Sequence, residues 1–204
     1  MVWALHHIKP LHINPTRVDK PVGHAYSDAA LEDVQGLNEK LKRGQLDNLH
    51  DHKMSIGAYI NLPQGARFFR LKLNSLPRFL SGEYMHIGIL EALAVNVSTF
   101  IWAHLLRDYF LIQHVDNLGD VFALCANSTR CPRTQKLSAS IHQKIQDYNL
   151  DIYFTWICSA RNLSDPLTRE ERFRAFTDFF SLATEEQLHA DFIIQNPHLW
   201  GVAR

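Results

Sequence analysis

Residues 87–116 read IGILEALAVNVSTFIWAHLLRDYFLIQHVD, and the spacing of their apolar side chains changes once along this stretch. From Ile87 to Leu105, apolar residues recur at steps of three and four, which predicts a helix of about six turns. The next run, from Tyr109 to Val115, predicts a strand that ends at Asp116. A helix that leads directly into a strand is typical of α/β domains with crossover connections.

The chain before this helix predicts an antiparallel meander of three strands. Residues 53–62 and 66–73 alternate between apolar and polar side chains, and residues 24–31 form a shorter strand candidate. Residues 32–51 lie between the first two strands, are charged and contain two glycines. They predict a short helix or a long connection inserted between the strands.

The chain after Asp116 predicts two helices and a buried strand. Residues 118–126 form a short helix candidate, and residues 132–149 form a longer one with Pro132 in its first turn. Residues 151–157, DIYFTWI, are almost continuously apolar and rich in β-branched and aromatic side chains. This composition predicts a buried parallel strand, and therefore a mixed sheet with crossovers.

The C-terminal part of the chain predicts further helices. Ser164-Asp165-Pro166 combines a cap with a proline, and Thr168-x-x-Glu171 has the spacing of a capping box, so we expect a helix directly after the last strand. A second box, Thr184-x-x-Gln187, predicts one more helix. The aromatic and apolar side chains between the two boxes are expected to pack in a core; they are Phe173, Phe176, Phe179, Phe180 and Leu182.

Composition limits the classes of protein. The chain has 204 residues, 46% hydrophobic, with 21 basic and 21 acidic side chains, which predicts one main domain and excludes binding of nucleic acid by bulk positive charge. The three cysteines lack metal or disulfide spacing and favour a reducing compartment. Without a signal peptide or an uninterrupted apolar span, we expect an intracellular protein with no membrane partner.

The first 22 residues contain three prolines and no sustained period, which predicts an N-terminal arm. His6, His7 and His12 have no acidic or cysteine partner at ligand spacing nearby. A surface or interface role is therefore favoured over a metal site.

Four acidic residues lie in or directly beside predicted apolar elements, where an acidic side chain is not expected. Asp28 interrupts the first strand, Asp116 ends the fourth, Glu91 lies beside the apolar stripe of the long helix, and Asp165 starts the helix after the last strand. The first and fourth strands would be neighbours where antiparallel pairing changes to parallel, a position that favours ligands. Converging carboxylates repel unless cations neutralise them, and oxygen donors select Mg²⁺ or Mn²⁺. The pattern indicates two-metal phosphodiester hydrolysis.

Five further stretches of the chain share a pattern: HAYSDAA at 24–30, ILEALA at 89–94, HVDN at 114–117, STRCP at 128–132 and NLSDPLTR at 162–169. In this order they resemble the ribonuclease H domains of reverse-transcribing elements, over roughly residues 24–169. The resemblance is closest to tyrosine-recombinase and gypsy-like retrotransposons and pararetroviruses. It implies an α/β fold, a ribonuclease H-like mixed five-stranded sheet of order 3-2-1-4-5 flanked by helices.

The resemblance implies a role for each acid. Asp28 would bridge two Mg²⁺ or Mn²⁺ ions, Glu91 and Asp116 would complete one site, and Asp165 would hold the second. The enzyme would be an endonuclease that hydrolyses the RNA strand of RNA/DNA hybrids.

Four other residues are candidates for nucleic-acid contact. Ser128, Thr129 and Arg130 precede a helix N-terminus, where they could grip a phosphate or only cap the helix. Asn117 could contact the scissile strand or serve as a turn residue.

The sequence also departs from the family. The loop at residues 159–161 contains no histidine, although many cellular relatives place a mobile one there, so product release or proton transfer would differ. We divide the chain into an arm at 1–22, a ribonuclease H-like domain at 23–170 and a C-terminal helical extension at 171–204, through which a reverse transcriptase or host protein could bind.

Two other functions are compatible with this fold. The first is a domesticated, noncatalytic module that binds nucleic acid or protein, which would show no dependence on divalent metal. The second is a transposase or integrase, which is less favoured because those enzymes carry their essential acid on a late helix and not at the position of Glu91.

Overall fold

The computed structural model describes residues 19–202 of the chain. The histidines His6, His7 and His12, and with them most of the predicted N-terminal arm at 1–22, lie outside the described residues. The described part is an α/β domain with a six-stranded mixed sheet in the order β5-β4-β1-β2-β3-β6. The strands are β1 (Val22–Ala30), β2 (Ser55–Leu62), β3 (Gly65–Lys72), β4 (Phe110–Val115), β5 (Asp151–Trp156) and β6 (Thr184–Glu185).

The pairing of the strands confirms the predicted ribonuclease H-like order 3-2-1-4-5. β1 pairs antiparallel with β2, and β2 pairs antiparallel with β3. β1 pairs in parallel with β4, and β4 with β5, so the central strand β1 separates the antiparallel half from the parallel half. The prediction of five strands is wrong by one, because β6 adds a short parallel pair beside β3.

The helices follow the predicted sequence of elements as far as the last crossover. Asp33 begins the first helix, where its carboxylate accepts the Gly36 N–H at 3.0 Å. The segment at 32–51 thus contains a real helix and not only a connection. The helices are α1 (Val34–Lys42), α2 (Ile87–Leu106), α3 (Leu118–Ala126), α4 (Pro132–Asp147), α5 (Asp165–Thr168), α6 (Glu170–Ala175), α7 (Thr177–Phe180) and α8 (Phe192–Gln195).

Helix α2 is the centre of the main core. It packs against β1 and β2 on one side and against α4 on another, so it is apolar around most of its circumference. By length and composition it could cross a membrane, but 78% of its most apolar window is buried inside the structure. The core helix of a soluble protein meets the same two criteria, so this finding is weak evidence for a membrane span.

The first predicted capping box is wrong. Three short helices, α5 to α7, replace the single helix expected after Ser164, and the N-cap of α6 is Arg169 with no side-chain cap. Thr168 cannot cap α6 because its hydroxyl donates to Asp28 and to the Asp165 carbonyl instead. A contact with β1 has therefore displaced a local capping interaction.

The second predicted capping box is also wrong, because Thr184 and Glu185 form β6. The N–H of Glu186 donates to the Phe68 carbonyl at 2.8 Å, and the Glu186 carboxylate pairs with Arg67 at 2.9 Å. These contacts join the segment to the edge of β3, and the next helix begins at Phe192. Pairing with the edge strand β3 therefore prevails over the local preference of this segment for a helix.

The two faces of the sheet carry separate apolar clusters. The larger cluster lies around α2 and α4 and includes the fully buried Trp200. The smaller one lies on the opposite face, where Leu167 and Phe180 from the C-terminal helices pack with Tyr59 and Phe68. The expectation that the C-terminal aromatics pack in a core holds for Phe180 and for the partly buried Phe173, whereas the side chains of Phe176, Phe179 and Leu182 are exposed.

Candidate active site

Asp28 lies near the end of β1, at the change from antiparallel to parallel pairing. It pairs with Gly57 of β2, and the neighbouring Ser27 pairs with Val115, the last residue of β4. Asp116 follows Val115 directly, so the two acids lie side by side on adjacent parallel strands. Asp28 is 4% exposed and Asp116 is half-buried.

The other three predicted ligands lie close enough to Asp28 for their negative charges to act on its carboxyl group. Burial raises the pKa of Asp28 to about 7, and the hydrogen bond from the Thr168 hydroxyl opposes the rise. The negative charges of three further carboxylates raise it as well. The structure therefore brings together the predicted ligands Asp28, Glu91, Asp116 and Asp165.

Glu91 reaches this region from the second turn of α2. Burial raises its pKa to about 8, a hydrogen bond with Asn117 opposes the rise, and the charges of Asp120 and Asp116 add to it. Asp120, in the first turn of α3, is a fifth buried acid that the sequence analysis missed. Its own pKa is raised to about 7, mainly by burial.

A glycine allows α2 and α3 to approach closely here. Asn117 caps α3, because its Oδ1 accepts the N–H groups of Gly119 at 2.9 Å and Asp120 at 3.3 Å. A Cβ atom on Gly88 would lie 3.0 Å from Asn117 Nδ2 and 3.2 Å from Asp120 Oδ2. In sequence, Asn117-x-x-Asp120 has the pattern of a helix N-terminus, so it gave no separate signal for the site.

Asp165 is held over the sheet by hydrogen bonds at both ends of α5. Asn162 Nδ2 donates to the Ser27 carbonyl at 2.9 Å, and Ser55 Oγ donates to the Thr168 carbonyl at 2.6 Å. Gly57 leaves room for the helix, since a Cβ there would lie 2.7 Å from the Cβ of Leu167.

The carboxylate of Asp165 already has basic partners. It accepts from Arg169 Nε at 3.3 Å and from the guanidinium of Arg172. The negative charge at this side of the site is therefore neutralised by two arginines, Arg169 before the C-terminal segment and Arg172 within it.

Asp116 Oδ1 is buried without a hydrogen-bond partner among residues 19–202, whereas the Glu91 and Asp120 carboxyls form a hydrogen bond with each other. Carboxylate oxygens are the donors that Mg²⁺ and Mn²⁺ prefer, so the donor types fit the predicted cofactor. As the side chains stand, no three His, Cys, Asp or Glu residues of the described chain are arranged to hold a metal ion. Binding would therefore require rotation of these side chains.

Three of the four predicted nucleic-acid contacts, Ser128, Thr129 and Arg130, lie just before α4. Ser128 and Arg130 are exposed, and Thr129 is half-buried with its hydroxyl accepting the Cys131 N–H at 3.3 Å. The N-cap of α4 is Cys131, without a side-chain cap, so none of the three predicted residues occupies that position. Asn117 is engaged as the cap of α3, as its interpretation as a turn residue implied.

Comparison with known proteins gives only structural matches. No family model and no curated protein matches the chain. The chain is similar to LC11 ribonuclease H1, isolated from compost by a metagenomic approach, with 12% identity, a TM-score of 0.46, and coverage of 77% of this chain and 98% of that chain. It is also similar to that ribonuclease in complex with an RNA/DNA hybrid, with 11% identity, a TM-score of 0.44, and coverage of 76% and 98%. The chain's own strand order defines its fold class independently of these values.

Proposed function

We propose that this protein is a metal-dependent endonuclease that hydrolyses the RNA strand of RNA/DNA hybrids. One observation carries the proposal: acids from positions 28, 91, 116 and 165 share one buried region at the junction of β1 and β4 and act electrostatically on each other. Unpaired buried carboxylates cost several kcal/mol each, so a purely structural role would not favour such a cluster.

The four acids would hold two Mg²⁺ or Mn²⁺ ions, which would stabilise the attacking and leaving oxygens of a phosphodiester. Other residues of the chain hold these acids in position. The Thr168 hydroxyl orients the Asp28 carboxylate, and the Asn117 cap fixes the start of α3 beside Glu91. The exposed Ser128 and Arg130 are free to contact a backbone phosphate near the N-terminus of α4.

A noncatalytic module that binds nucleic acid or protein is the alternative. Two observations favour it: Asp165 is paired with Arg169 and Arg172, and no group of three metal ligands is assembled in residues 19–202. If the arginines were permanent partners of Asp165, the second metal could not bind. The alternative predicts that divalent cations change neither stability nor activity.

The retroelement origin of the domain also belongs to the proposal. It is supported by the five sequence stretches between residues 24 and 169. A reverse transcriptase or a host protein would then be the partner of the C-terminal segment at 171–204, and the hybrid would be the substrate.

The test is cleavage of a labelled RNA/DNA hybrid by the full chain, with Mg²⁺ or Mn²⁺ and with a chelator. We expect cleavage only with metal, and only of the RNA strand. Duplex DNA and duplex RNA serve as comparison substrates. Intact hybrid at every metal concentration, with a folded protein, would overturn the proposal in favour of the noncatalytic module.

A further inference from the structure

A cavity of 310 Å³ lies beside Asp165, between the 3₁₀ turn at Ser159–Arg161 and the helix α7. Its volume is at the lower end of the range for small-molecule sites, about 300–1,000 Å³. The walls include three phenylalanine rings, from α7 and the residue before it, and two arginines. The cavity therefore combines flat apolar surface with positive charge.

Two of the three rings are exposed where they line the cavity. The side chain of Phe176 is 49% exposed and that of Phe179 is 37% exposed. Phe179 nevertheless has a fixed orientation, because its ring centroid lies 5.4 Å from that of Tyr59 and 5.1 Å from that of the buried Phe180. Packing in the core does not account for the exposed part of the ring. A fixed, exposed aromatic ring is a platform on which another flat ring can stack.

The charges in the cavity favour an anionic ligand. Arg161 lines the cavity with an exposed side chain, and no acid within residues 19–202 forms an ion pair with it. The acid in the lining, Asp165, is already paired with Arg169 and Arg172. The lining is thus positive, on a chain whose acidic and basic side chains are equal in number. An anion can approach Arg161 without strong repulsion from Asp165.

Aromatic rings beside an arginine suit a nucleotide, because a base can stack on the ring while the guanidinium binds a phosphate. In a duplex, neighbouring bases cover the face of each base, and only the base edges are accessible in the grooves. A base that stacks in this cavity must therefore be unpaired.

We propose that this cavity binds one unpaired nucleotide of a nucleic-acid strand. Phe176 and Phe179 would stack its base, and Arg161 would bind its phosphate. The inference rests on the proposed function, which makes a nucleic acid the ligand and places its paired part at the acidic cluster. It adds a substrate class, an RNA/DNA hybrid with a single-stranded overhang.

The size of the cavity favours a nucleotide over a protein segment. A stable protein interface covers about 800 Å² on each partner, far more surface than one cavity of this size offers. RNA and DNA share the base and the phosphate, so the strand that supplies the nucleotide is identified by the test.

Fluorescence anisotropy with the full chain in a chelator, where no cleavage is expected, tests the inference. The probes are a blunt labelled hybrid and the same hybrid with a short overhang on each strand end in turn. We expect one type of overhang to bind more tightly than the blunt hybrid by about fivefold to a hundredfold, the range for stacking of one base. Equal affinity of wild type for all probes would overturn the inference.

Variants of the cavity identify where the overhang binds. Phe179→Leu keeps an apolar side chain against Tyr59 but removes the ring, so it should lose most of the gain from the overhang. Phe176→Ala is the second variant, because its exposed ring contributes little to the core. Leu182→Ala, 85% exposed in the same segment and outside the cavity, is the matched control. Gain that persists in both phenylalanine variants would contradict the assignment.

The contribution of the charge is tested separately. Arg161→Ala should weaken binding of the overhang hybrid by about fivefold or more, in the range for a hydrogen bond to a charged group. Arg174→Ala removes an arginine that pairs with Glu170 outside the cavity, and it is the matched control. Equal affinities of these two variants would remove Arg161 from the site.

Cleavage and oligomeric state of the same preparations separate the other outcomes. If wild type cleaves blunt and overhang hybrids equally and binds them equally, the cavity inference fails and the nuclease proposal stands. If the overhang gain depends on Phe179 but no hybrid is cleaved at any metal concentration, the cavity stands and the nuclease proposal fails. A dimer in sedimentation that Phe179→Leu dissociates would make the cavity a contact between copies and overturn the inference.

Discussion

The hydroxyl of Thr168 donates a hydrogen bond to the Oδ2 of Asp28, across 140 residues of sequence. This contact joins the short helix α5 to the central strand, and it is the main interaction that opposes the raised pKa of Asp28. The same hydroxyl also donates to the Asp165 carbonyl at 3.0 Å, so it links two of the predicted ligands. Thr168 therefore acts as a positioning residue for the acidic cluster.

Thr168→Ala should raise the pKa of Asp28 and shift the acidic limb of the pH–rate profile to higher pH. The physical reason is that the carboxylate loses the hydrogen bond that favours its charged form. Thr168→Ser, which keeps the hydroxyl, is the matched control and should retain the wild-type profile. The measurement is hybrid cleavage across the pH range at saturating Mg²⁺. A profile for Thr168→Ala that overlies wild type would contradict this role.

Asp28→Asn or Asp116→Asn should reduce Mg²⁺-dependent cleavage to below roughly 1% of wild type, because metal ions supply several kcal/mol of transition-state stabilisation. Each change removes a charge from a repelling cluster, so neither should unfold the protein. Circular dichroism and thermal unfolding check the fold, and Asp108→Asn should cleave like wild type. Full activity in a folded Asp116→Asn would rule out the assigned role.

Glu91→Gln should stabilise the protein near pH 8 in a chelator, but not near pH 5. The pKa of Glu91 is about 8 in the folded protein, and it returns to about 4.3 when the chain unfolds. Between these values the folded state holds the extra proton, so the stability from protonated Glu91 is complete below the unfolded pKa and is lost as pH rises through about 8. Glutamine has no proton to lose, so the difference from wild type should grow with pH to roughly 1–3 kcal/mol.

Urea unfolding near pH 5 and near pH 8 measures this difference in the free energy of unfolding. Excess Mg²⁺ should reverse its sign, because the cation stabilises only the wild-type carboxylate. A difference that does not change with pH would show that Glu91 is not protonated in the folded, metal-free protein.

Arg172→Ala should lower the Mg²⁺ concentration needed for half-maximal cleavage, by roughly twofold to tenfold, because it removes a positive charge that competes for Asp165. Arg174→Ala is the matched control, since Arg174 pairs with Glu170 at 3.4 Å and is exposed. Stability should change by less than about 1 kcal/mol in both variants, as is usual for exposed ion pairs. An unchanged or higher Mg²⁺ requirement for Arg172→Ala would show that the arginine supports the site instead of blocking it.

The sequence by itself determined the elements whose signal is local. The periodicity at 87–106 and the apolar runs at 110–115 and 151–156 located α2, β4 and β5 to within a residue or two. The order of these elements, with the resemblance, was sufficient to predict the strand order and to select Asp28, Glu91, Asp116 and Asp165. Such patterns can be recognised in the sequence because each depends on residues only two to four positions apart.

Only the tertiary structure decided which partner each polar side chain takes. Thr168 could cap a helix or bond Asp28, and Thr184 could start a helix or join the edge of β3; in both cases the distant segment prevailed. Asp120 lies beside α2 because Gly88 lets α2 approach α3 closely. A contact between two helices cannot be predicted from the spacing of residues in the sequence. The physical reason is that burial and long-range contacts set the free energy of a polar group, and both depend on segments far away in the chain.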